Sequence, residues 1–302
     1  MKNIKEYFLL ILFLILSFSC SKFEKKDLKN GNNEKIKDKK EISIIGVGDI
    51  MLGSNYPNED LLPNTNILQN VESILQNADI TAGNLEGTLF DKGGDPKKCE
   101  NPSVCYVFRM PSKYGKYLKN AGFDYLSLAN NHSNDFGEVG ILQTMENLNS
   151  LGIKYSGIKE KAEYSILEKD GIKYGFVSFA PNSKTVDIND YEYASNLIKS
   201  VKEKSDIVVV FFHGGAEGKE HEHITRNNEI FHGENRGNVF KFARNAVDSG
   251  ADIVFGQGPH ITRAIELYKN KFISYSAGNF ATFGNISLSG ISGIAPIFKI
   301  NI

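Results

Sequence analysis

A recurring pattern at the ends of apolar segments constrains this chain more than any other feature. At five places a short apolar run, typical of a buried strand, stops and a polar side chain of the metal-ligating kind follows. The five polar segments are Gly48-Asp49, Gly83-Asn84-Leu85-Glu86, Ala129-Asn130-Asn131-His132 with Asp135, Phe211-Phe212-His213-Gly214 and Gly256-Gln257-Gly258-Pro259-His260. Because ligands in open α/β sheets bind outside the carboxyl ends of the strands, we expect these side chains to meet at one edge.

The periodicity between these segments predicts one folded domain over residues 41–302. Helical stripes are predicted over residues 64–76, 111–121, 139–151, 195–204 and 238–248. Strand-like runs alternate with them, and hairpins are predicted across Lys169-Asp170-Gly171 and Tyr268-Lys269-Asn270. This alternation favours a mixed-sheet α/β domain with two sheets and helices outside.

The composition is that of an ordinary globular protein and argues against a nucleic-acid-binding protein and a membrane-spanning protein. The 302 residues are 41% hydrophobic and 24% charged, enough to bury a full core without cross-links. The formal net charge of -1 gives the protein no overall positive potential that would attract a nucleic acid or an anionic surface. No apolar run reaches the roughly 18 residues that a transmembrane helix needs.

The first 20 residues are typical of an export signal. Lys2 and Lys5 precede an apolar stretch over residues 7–16, and Ser17-Phe18-Ser19-Cys20 follows. A signal that ends on cysteine resembles that of a bacterial lipoprotein, so Cys20 is predicted to be the lipidated first residue of the mature chain. Plain secretion with a chance cysteine is the alternative. Residues 21–40 are polar and charged, which predicts a disordered tether. The protein is expected outside the cytoplasm, anchored to the cell membrane.

Two further cysteines, Cys99 and Cys105, flank a short segment that contains Pro102. Outside the cytoplasm they can oxidise to a local disulfide, and two free thiols are the alternative. A metal role is disfavoured because no histidine or other thiol lies nearby. Three cysteines in all are too few for a disulfide scaffold.

The polar side chains after the predicted strands form a mixed oxygen and nitrogen ligand set. The candidate ligands are Asp49, Glu86, Asn131, His213 and His260. Zn, Fe or Mn accept carboxylate, amide and imidazole groups of this kind. A carboxylate such as Glu86 could bridge two ions, which would activate water for an in-line displacement. Each residue alone could be a cap, a turn or a buried histidine, but their recurrence favours one polar site.

Further candidate residues lie beside these motifs. His132 follows Asn131 and is placed to act as a general acid, with Asp135 orienting its ring. The predicted substrate contacts are Arg109, Glu234, Arg236, Arg263 and Asn279. The arginines could grip a carboxylate or phosphate through paired hydrogen bonds, whereas internal salt bridges are the alternative for each. The run Glu220-His221-Glu222-His223 looks like a metal site, but we expect an exposed loop because alternate residues project to opposite sides.

Several motifs resemble the CapA family of capsule-biosynthesis proteins (poly-γ-glutamate synthesis). The matching segments are Gly48-Asp49-Ile50-Met51-Leu52-Gly53, Asn84-Leu85-Glu86-Gly87, Phe108-Arg109-Met110-Pro111, Ala129-Asn130-Asn131-His132-Ser133-Asn134-Asp135-Phe136-Gly137, His213-Gly214-Gly215-Ala216-Glu217, Gly233-Glu234-Asn235-Arg236-Gly237 and Tyr275-Ser276-Ala277-Gly278-Asn279-Phe280. The family resembles a branch of the calcineurin-like metallophosphoesterases. The resemblance therefore implies a four-layer α/β/β/α sandwich with mixed sheets and an often dinuclear metal site.

The resemblance also implies roles for individual residues. It assigns metal ligation to Asp49, Glu86, Asn131, His213 and His260, and it assigns the catalytic histidine to His132. Two positions depart from the phosphoesterase pattern. The motif Asp-x-His reads Asp49-Ile50-Met51, and Gln257 stands where a histidine often sits. Because a neutral amide is a poorer ligand than imidazole for Zn, we expect one ion or weak loading rather than a full two-metal centre.

Three functions follow as expectations. The first is a membrane-tethered metal-dependent hydrolase of capsule or surface-polymer biosynthesis, which cleaves or transfers an amide or phosphoester bond. The second is a non-catalytic component that binds nascent anionic polymer and helps to export or anchor it. The third is a metal-free enzyme in which His132, His213 and His260 move protons directly. The expected partners are an anionic polymer or its precursor, the membrane, and membrane-bound capsule synthase subunits, but no nucleic acid.

Overall fold

The structure, a computed structural model, describes residues 41–99, 105–284 and 286–302. The predicted signal and tether, including Cys20, lie outside the described residues. Residues Glu41–Ile302 form one unit by their internal contacts. None of the helices in the described ranges combines the length and hydropathy that a bilayer-spanning segment needs.

The secondary structure alternates strands and helices along the chain. The strands are β1 Ser43–Met51, β2 Ile80–Leu85, β3 Thr88–Leu89, β4 Arg109–Met110, β5 Tyr125–Ser127, β6 Lys154–Ser156, β7 Tyr164–Lys169, β8 Ile172–Phe179, β9 Ile207–His213, β10 Ile230–Phe231, β11 Glu234–Asn235, β12 Ile253–Gln257, β13 Ile265–Tyr268, β14 Lys271–Ser274, β15 Asn279–Thr282 and β16 Phe298–Asn301. The α-helices are α1 Glu72–Leu75, α2 Gly115–Asn120, α3 Gly137–Ser150, α4 Tyr191–Lys202 and α5 Val239–Asp248.

Two mixed six-stranded sheets carry the fold. The first has the order β15-β1-β2-β5-β6 with parallel neighbours, and β16 pairs antiparallel with β1. The second has the order β13-β14-β12-β9-β8-β7, with a parallel centre and an antiparallel hairpin at each edge. These edge hairpins, β7–β8 and β13–β14, are the two that the sequence predicted. The central strand β9 is buried along its whole length, as a continuous apolar run in a covered parallel sheet requires.

The two sheets pack face to face, and helices cover both outer faces. Between the sheets, Tyr125 of β5 stacks on Phe176 of β8 with ring centroids 4.1 Å apart, and Phe211 and Phe255 fill the same buried cluster. A second apolar cluster joins the first sheet to α1, α2 and α3. A third joins the second sheet to α4 and α5. The layers are therefore α/β/β/α with mixed sheets, which confirms the expected fold class.

The helix predicted over residues 64–76 is wrong in extent. Within that range only Glu72–Leu75 is α-helical, and the preceding residues form turns. The Asn66 side chain accounts for the difference: its Oδ1 accepts from the Leu68 backbone N–H (3.0 Å), and its Nδ2 donates to Glu72 Oε1 (2.8 Å). Such local bonds compete with helix formation. Leu68 is still fully buried, so the apolar stripe packs without a helix. The other predicted helices are present with shifted ends.

Candidate functional site

Polar residues at the carboxyl ends of several strands meet beside one cavity of about 540 Å³. Its walls include Glu86, Asn131, His132 and His260. His213, the last residue of β9, is buried next to Glu86. The strands run parallel at this edge, and their carboxyl ends therefore bring together side chains that are far apart in the sequence.

Glu86, His213 and His260 form the closest group of possible ligands. Each offers one ligand atom, and the three atoms lie within 4.8 Å of one another. Nε2 of His213 is 3.7 Å from Glu86 Oε1, and Nε2 of His260 is 3.5 Å from the same oxygen. Within the described part of the chain, no other set of three His, Cys, Asp or Glu side chains meets this distance. One carboxylate and two imidazoles form a set that Zn, Fe or Mn accept.

Several of these atoms lack protein partners. Both carboxylate oxygens of Glu86, both ring nitrogens of His213 and Oδ1 of Asn131 are buried without a hydrogen bond to any described residue. Buried polar atoms are nearly always paired, because an unpaired one has lost its water without compensation. Carboxylate oxygens, an amide oxygen and an imidazole nitrogen that lie close together without a hydrogen-bond donor from the protein are suited to bind a cation. The residues present therefore fit a divalent metal ion.

Electrostatics of the metal-free site agree with this fit. Burial, reinforced by Asp49, raises the pKa of Glu86 to about 8 against the opposing charge of His260. Burial and the nearby Arg236 charge hold the pKa of His213 well below its ordinary value, so this imidazole is neutral at neutral pH. Burial alone would lower the pKa of His260, but Glu86 and Asp49 raise it to about 10. Protons thus compensate the buried carboxylates that a cation would neutralise.

Asp49 lies outside the three-atom group. Its Oδ2 is hydrogen-bonded to His260 Nδ1 (3.1 Å), and its Oδ1 accepts from Asn84 Nδ2 (2.8 Å). Asn84 in turn accepts from Asn130 Nδ2 (3.2 Å). Asp49 contributes no atom to this group of three, and its predicted role as a direct ligand stays a prediction. Its hydrogen bond fixes the ring of His260 so that Nε2 is the nitrogen that faces Glu86.

Gln257 also contributes no ligand atom to the group. It is fully buried, and with its amide nitrogen turned towards the sheet it donates to the backbone carbonyls of Phe212 (2.9 Å) and Phe255 (3.3 Å). The turn that follows delivers His260 in a left-handed backbone conformation with a φ of 58°. This conformation is uncommon for a residue other than glycine and is concentrated at functional sites.

His132 and Asp135 make the contact that the sequence predicted. Nδ1 of His132 lies 2.8 Å from Oδ2 of Asp135, which also accepts from the Phe108 backbone N–H (2.7 Å). The Phe108 ring packs against the imidazole with centroids 4.3 Å apart. Burial lowers the pKa of His132, so the ring is neutral at neutral pH. Lys97, whose Nζ lies 2.6 Å from Asp135 Oδ1, completes the arrangement and was missed because it belongs to no motif.

Arg236 is the predicted arginine that reaches the cavity. Its side chain is only 3% exposed, and Nη1 pairs with Glu217 Oε1 at 3.0 Å. Nε and Nη2 have no hydrogen bond among the described residues. Oε2 of Glu217 lies 3.9 Å from His260 Nε2, so Glu217 joins the site although no role was predicted for it. Glu234 and Asn279 line the same cavity, as expected.

Arg109 and Arg263 do not line this cavity. The Arg109 guanidinium lies over the Phe136 ring at 4.7 Å. Successive residues of an extended segment face opposite sides, so Phe108 reaches the cavity and Arg109 does not. Arg263 forms a buried ion pair with Glu229, with nitrogen–oxygen distances of 2.9 and 3.1 Å. The predicted substrate contacts of these two arginines are therefore corrected to contacts within the protein.

Two other sequence features are resolved by the structure. Cys99 and Cys105 are joined by a disulfide, one of the two states that the sequence left open, and Cys99 lines the cavity. The acidic and histidine-rich run over residues 220–223 lies in a largely exposed segment around a short 3-10 helix. It contributes nothing to the ligand group, as expected.

Comparison with known proteins identifies relatives over most of the chain. The chain is 29% identical over 255 residues to the PGA biosynthesis protein CapA of Bacillus subtilis (strain 168) and 26% identical over 272 residues to the capsule biosynthesis protein CapA of Bacillus anthracis. These alignments cover 79% and 84% of this chain but 63% and 61% of the relatives. The chain thus spans less than two thirds of the length of the curated relatives it matches. A solved structure of a novel phosphatase from Mycoplasma pneumoniae aligns with a TM-score of 0.47 and 17% identity, covering 79% of this chain and 72% of that one.

A family model covers the whole candidate site. The model described as bacterial capsule synthesis protein PGA_cap matches residues 43–283, a range that contains the ligand group, the His132–Asp135 pair and Arg236. The resemblance indicated by the sequence motifs is confirmed. The chain belongs to the bacterial capsule synthesis protein family PGA_cap.

Proposed function

We propose that this protein is a metal-dependent hydrolase of surface-polymer biosynthesis that cleaves or transfers an amide or phosphoester bond. The observation that carries the proposal is the unpaired group of Glu86, His213 and His260 next to the hydrogen-bonded pair of His132 and Asp135. Core residues with only a structural role are normally paired with protein atoms. A cavity with unpaired ligand atoms and shifted pKa values is typical of a catalytic site.

Glu86, His213 and His260 would hold a divalent ion of the Mn, Zn or Fe type, with Oδ1 of Asn131 as a further ligand. When bound, such an ion supplies a Lewis acid that activates water and polarises the bond to be broken. His213 is neutral, so its lone pair is available. The Asp49 hydrogen bond at Nδ1 of His260 leaves Nε2 for ligation.

His132 would transfer a proton from the attacking group to the leaving group. Asp135 engages Nδ1, so Nε2 is the nitrogen that exchanges a proton with the substrate. Because burial keeps the ring neutral at neutral pH, Nε2 can first accept a proton from the attacking group. The imidazolium formed in this way is stabilised by the Asp135 carboxylate and returns the proton to the leaving group.

Arg236 would bind an anionic group of the substrate. Its unpaired Nε and Nη2 form one edge of the guanidinium, and this edge can donate two parallel hydrogen bonds to a carboxylate or phosphate. Glu217 holds the third nitrogen in place. The names of the relatives, which refer to capsule and PGA biosynthesis, support an anionic surface polymer or its precursor as the substrate.

Export, lipid anchoring through Cys20 and contact with membrane-bound capsule synthase subunits belong to the same proposal. They rest on the N-terminal sequence and on the names of the relatives. Labelling with a radioactive or alkyne-bearing fatty acid in cells, with Cys20→Ser as the control, tests the anchor. Equal labelling of both forms would refute it.

Elemental analysis and a substrate screen test the proposed ligands together. The variants His213→Ala and His260→Ala should lose the metal that copurifies with the wild-type protein and should lose chelator-sensitive turnover of phosphoester and γ-glutamyl amide substrates. His221→Ala is the matched control, because this histidine lies outside the ligand group, and it should retain both properties. Unchanged metal content in the double variant would refute the ligand assignment.

A protein that binds the anionic polymer without catalysing a reaction is a second candidate function, and one observation favours it. Asp49 and Gln257 are hydrogen-bonded within the protein, so few ligands are left for a second ion. This function predicts polymer binding that survives chelation, together with no turnover. A metal-free acid–base enzyme would instead show turnover in protein that elemental analysis finds free of metal.

A further inference from the structure

The disulfide between Cys99 and Cys105 joins two segments that both contact Asp135, the carboxylate of the proposed acid–base pair. The two cysteines are six positions apart in the sequence, and their Cα atoms are 5.7 Å apart. We call residues 97–99 the lysine arm and residues 105–108 the phenylalanine arm. The disulfide is therefore a covalent link between two segments that hold the same side chain.

The two arms hold opposite oxygens of the Asp135 carboxylate. The backbone N–H of Phe108 donates to Oδ2 (2.7 Å), the oxygen that faces His132. Nζ of Lys97 lies 2.6 Å from Oδ1, and the Lys97 backbone N–H donates to the Asp135 carbonyl oxygen (2.7 Å). The Asp135 side chain is fully buried, and no other described residue gives Oδ1 a hydrogen bond. Without the Lys97 ammonium, this buried oxygen would lack a partner, which is costly for a charged group.

The arms differ in how firmly the rest of the fold holds them. The carbonyl of Phe108 accepts from the hydroxyl of Thr88 (2.8 Å), and the chain then continues into β4. Among the described residues, the hydrogen bonds of Lys97 lead only to Asp135 and His132. Lys97 belongs to no helix or strand, and its side chain is 29% exposed. The disulfide thus attaches the weakly held lysine arm to the firmly held phenylalanine arm, which restricts local opening.

We propose that the Cys99–Cys105 disulfide is a redox-sensitive positioning element, which holds Lys97 on Asp135 when it is closed and releases Lys97 when it is opened to two thiols. Opening consumes two electrons and two protons from a dithiol, which becomes a disulfide; closing transfers them to a disulfide oxidant. Both cysteines are half-buried, so such reagents can reach them.

The effect on turnover rests on the proposed function, whereas the position of Lys97 does not. Released from Lys97, the Asp135 carboxylate no longer has a partner for Oδ1 and holds His132 less firmly. Disulfides form outside the cytoplasm and are rare within it. If the protein is exported, the His132–Asp135 pair therefore reaches its working geometry only after export.

Hydrogen exchange in the purified full-length protein tests the position of Lys97 without any need for turnover. Amide exchange is compared before and after reduction by dithiothreitol, in EDTA so that no metal contributes. The Lys97 amide should exchange about tenfold or more faster after reduction. The amides of Phe90, which donates to the Met110 carbonyl (2.9 Å), and of fully buried Val210 should change by less than about twofold. With metal and substrate, kcat should fall by about tenfold on reduction.

Matched variants separate the disulfide from other effects of the reductant. Cys99→Ser combined with Cys105→Ser should show the fast Lys97 exchange with and without dithiothreitol. Cys20→Ser keeps the pair and should respond to dithiothreitol as the wild-type protein does. Lys97→Met should lower kcat while the disulfide is closed and should make kcat insensitive to the reductant. Lys97→Arg keeps the charge and should retain most of kcat.

The possible outcomes separate the positioning element from the hydrolase. Lys97 exchange that is unchanged by reduction would overturn the proposal. Equal acceleration at Phe90 or Val210 would show that the disulfide supports the fold in general, which also overturns it. Turnover that is the same in both redox states would overturn the effect on the His132–Asp135 pair. If Lys97 responds as predicted but no substrate is turned over in either state, the hydrolase proposal fails and the positioning of Lys97 stands.

Discussion

Replacing Glu86 by glutamine is expected to stabilise the metal-free protein while it abolishes metal binding. Glu86 is 1% exposed, and neither carboxylate oxygen has a hydrogen-bond partner among the described residues. Without a metal ion, this group is a buried acid that the fold must keep protonated or leave as a poorly compensated charge. Glutamine keeps the shape and removes the charge.

The size of the effect follows from the raised pKa of Glu86. The pKa rises from 4.5 to about 8 on folding, so between these values the native protein holds a proton that the unfolded chain has released. The free energy of unfolding then falls by about 1.4 kcal/mol per pH unit. At pH 7 the loss is about 3 kcal/mol. Burial of the new amide costs about 1 kcal/mol, which leaves a net gain of about 2 kcal/mol, or about 4–8 °C in Tm for a domain of this size.

Thermal unfolding with and without metal measures both the stability of the metal-free variant and its loss of metal binding. In EDTA the Tm of Glu86→Gln should exceed that of the wild-type protein, and the difference should grow from pH 5 to pH 8. Addition of Mn²⁺ or Zn²⁺ should raise the Tm of the wild-type protein only. The matched control is Glu234→Gln, since Glu234 lines the same cavity with a side chain that is 65% exposed, and its Tm should stay within about 1 °C of the wild type. A metal-free Glu86→Gln protein that melts earlier than the wild type would refute the reasoning.

Three further variants test other parts of the structure. Asp135→Asn should lower kcat by about a hundredfold or more with unchanged metal content, because the carboxylate that stabilises protonated His132 is lost; wild-type kcat would contradict this role. Arg263→Met should lower the urea midpoint by the equivalent of about 3–5 kcal/mol, since Glu229 is left buried without its charged partner and keeps only the Ala216 backbone N–H, and Glu229→Leu in the same chain should restore part of the loss. Burial raises the pKa of Asp252, but hydrogen bonds from two lysines outweigh it and hold this pKa below its ordinary value, so Asp252 stabilises the fold at neutral pH. Asp252→Asn should therefore cost about 1–3 kcal/mol at pH 7, a difference that shrinks as the pH falls below 3.8; a cost that is the same at both pH values would contradict the linkage.

The layered fold was predictable because its signals are local. The run that forms β9 is apolar throughout, as a strand covered on both faces must be. The hairpins at the edges of the second sheet follow from short turn sequences between strand-like runs. The helix expected over residues 64–76 failed because the Asn66 side chain bonds nearby backbone and Glu72. An apolar stripe alone does not show that competition.

The candidate site was predictable only where strand ends position the residue. Glu86 follows β2 of the first sheet and His213 ends β9 of the second, so each strand end places its residue at the edge of its own sheet, and the face-to-face packing of the sheets brings the two residues together. Lys97 could not be found in this way, because it reaches Asp135 from a segment outside the named strands. Arg109 was assigned to the cavity by its neighbours in the sequence, although the alternation of an extended segment places it opposite Phe108.

The ligand group depends on how closely the two sheets approach each other. Glu86 extends from the first sheet, whereas His213 and His260 follow strands of the second, so the separations of 3.5 and 3.7 Å are distances between sheets. Gly46 of β1 sets this approach: a Cβ atom there would lie 2.2 Å from the ring of Phe255 in the other sheet. A fully buried ring in a close-packed core has no room to move away. The geometry of the candidate ligand group at the edge is therefore fixed by packing inside the sandwich as well as by the residues of the group itself.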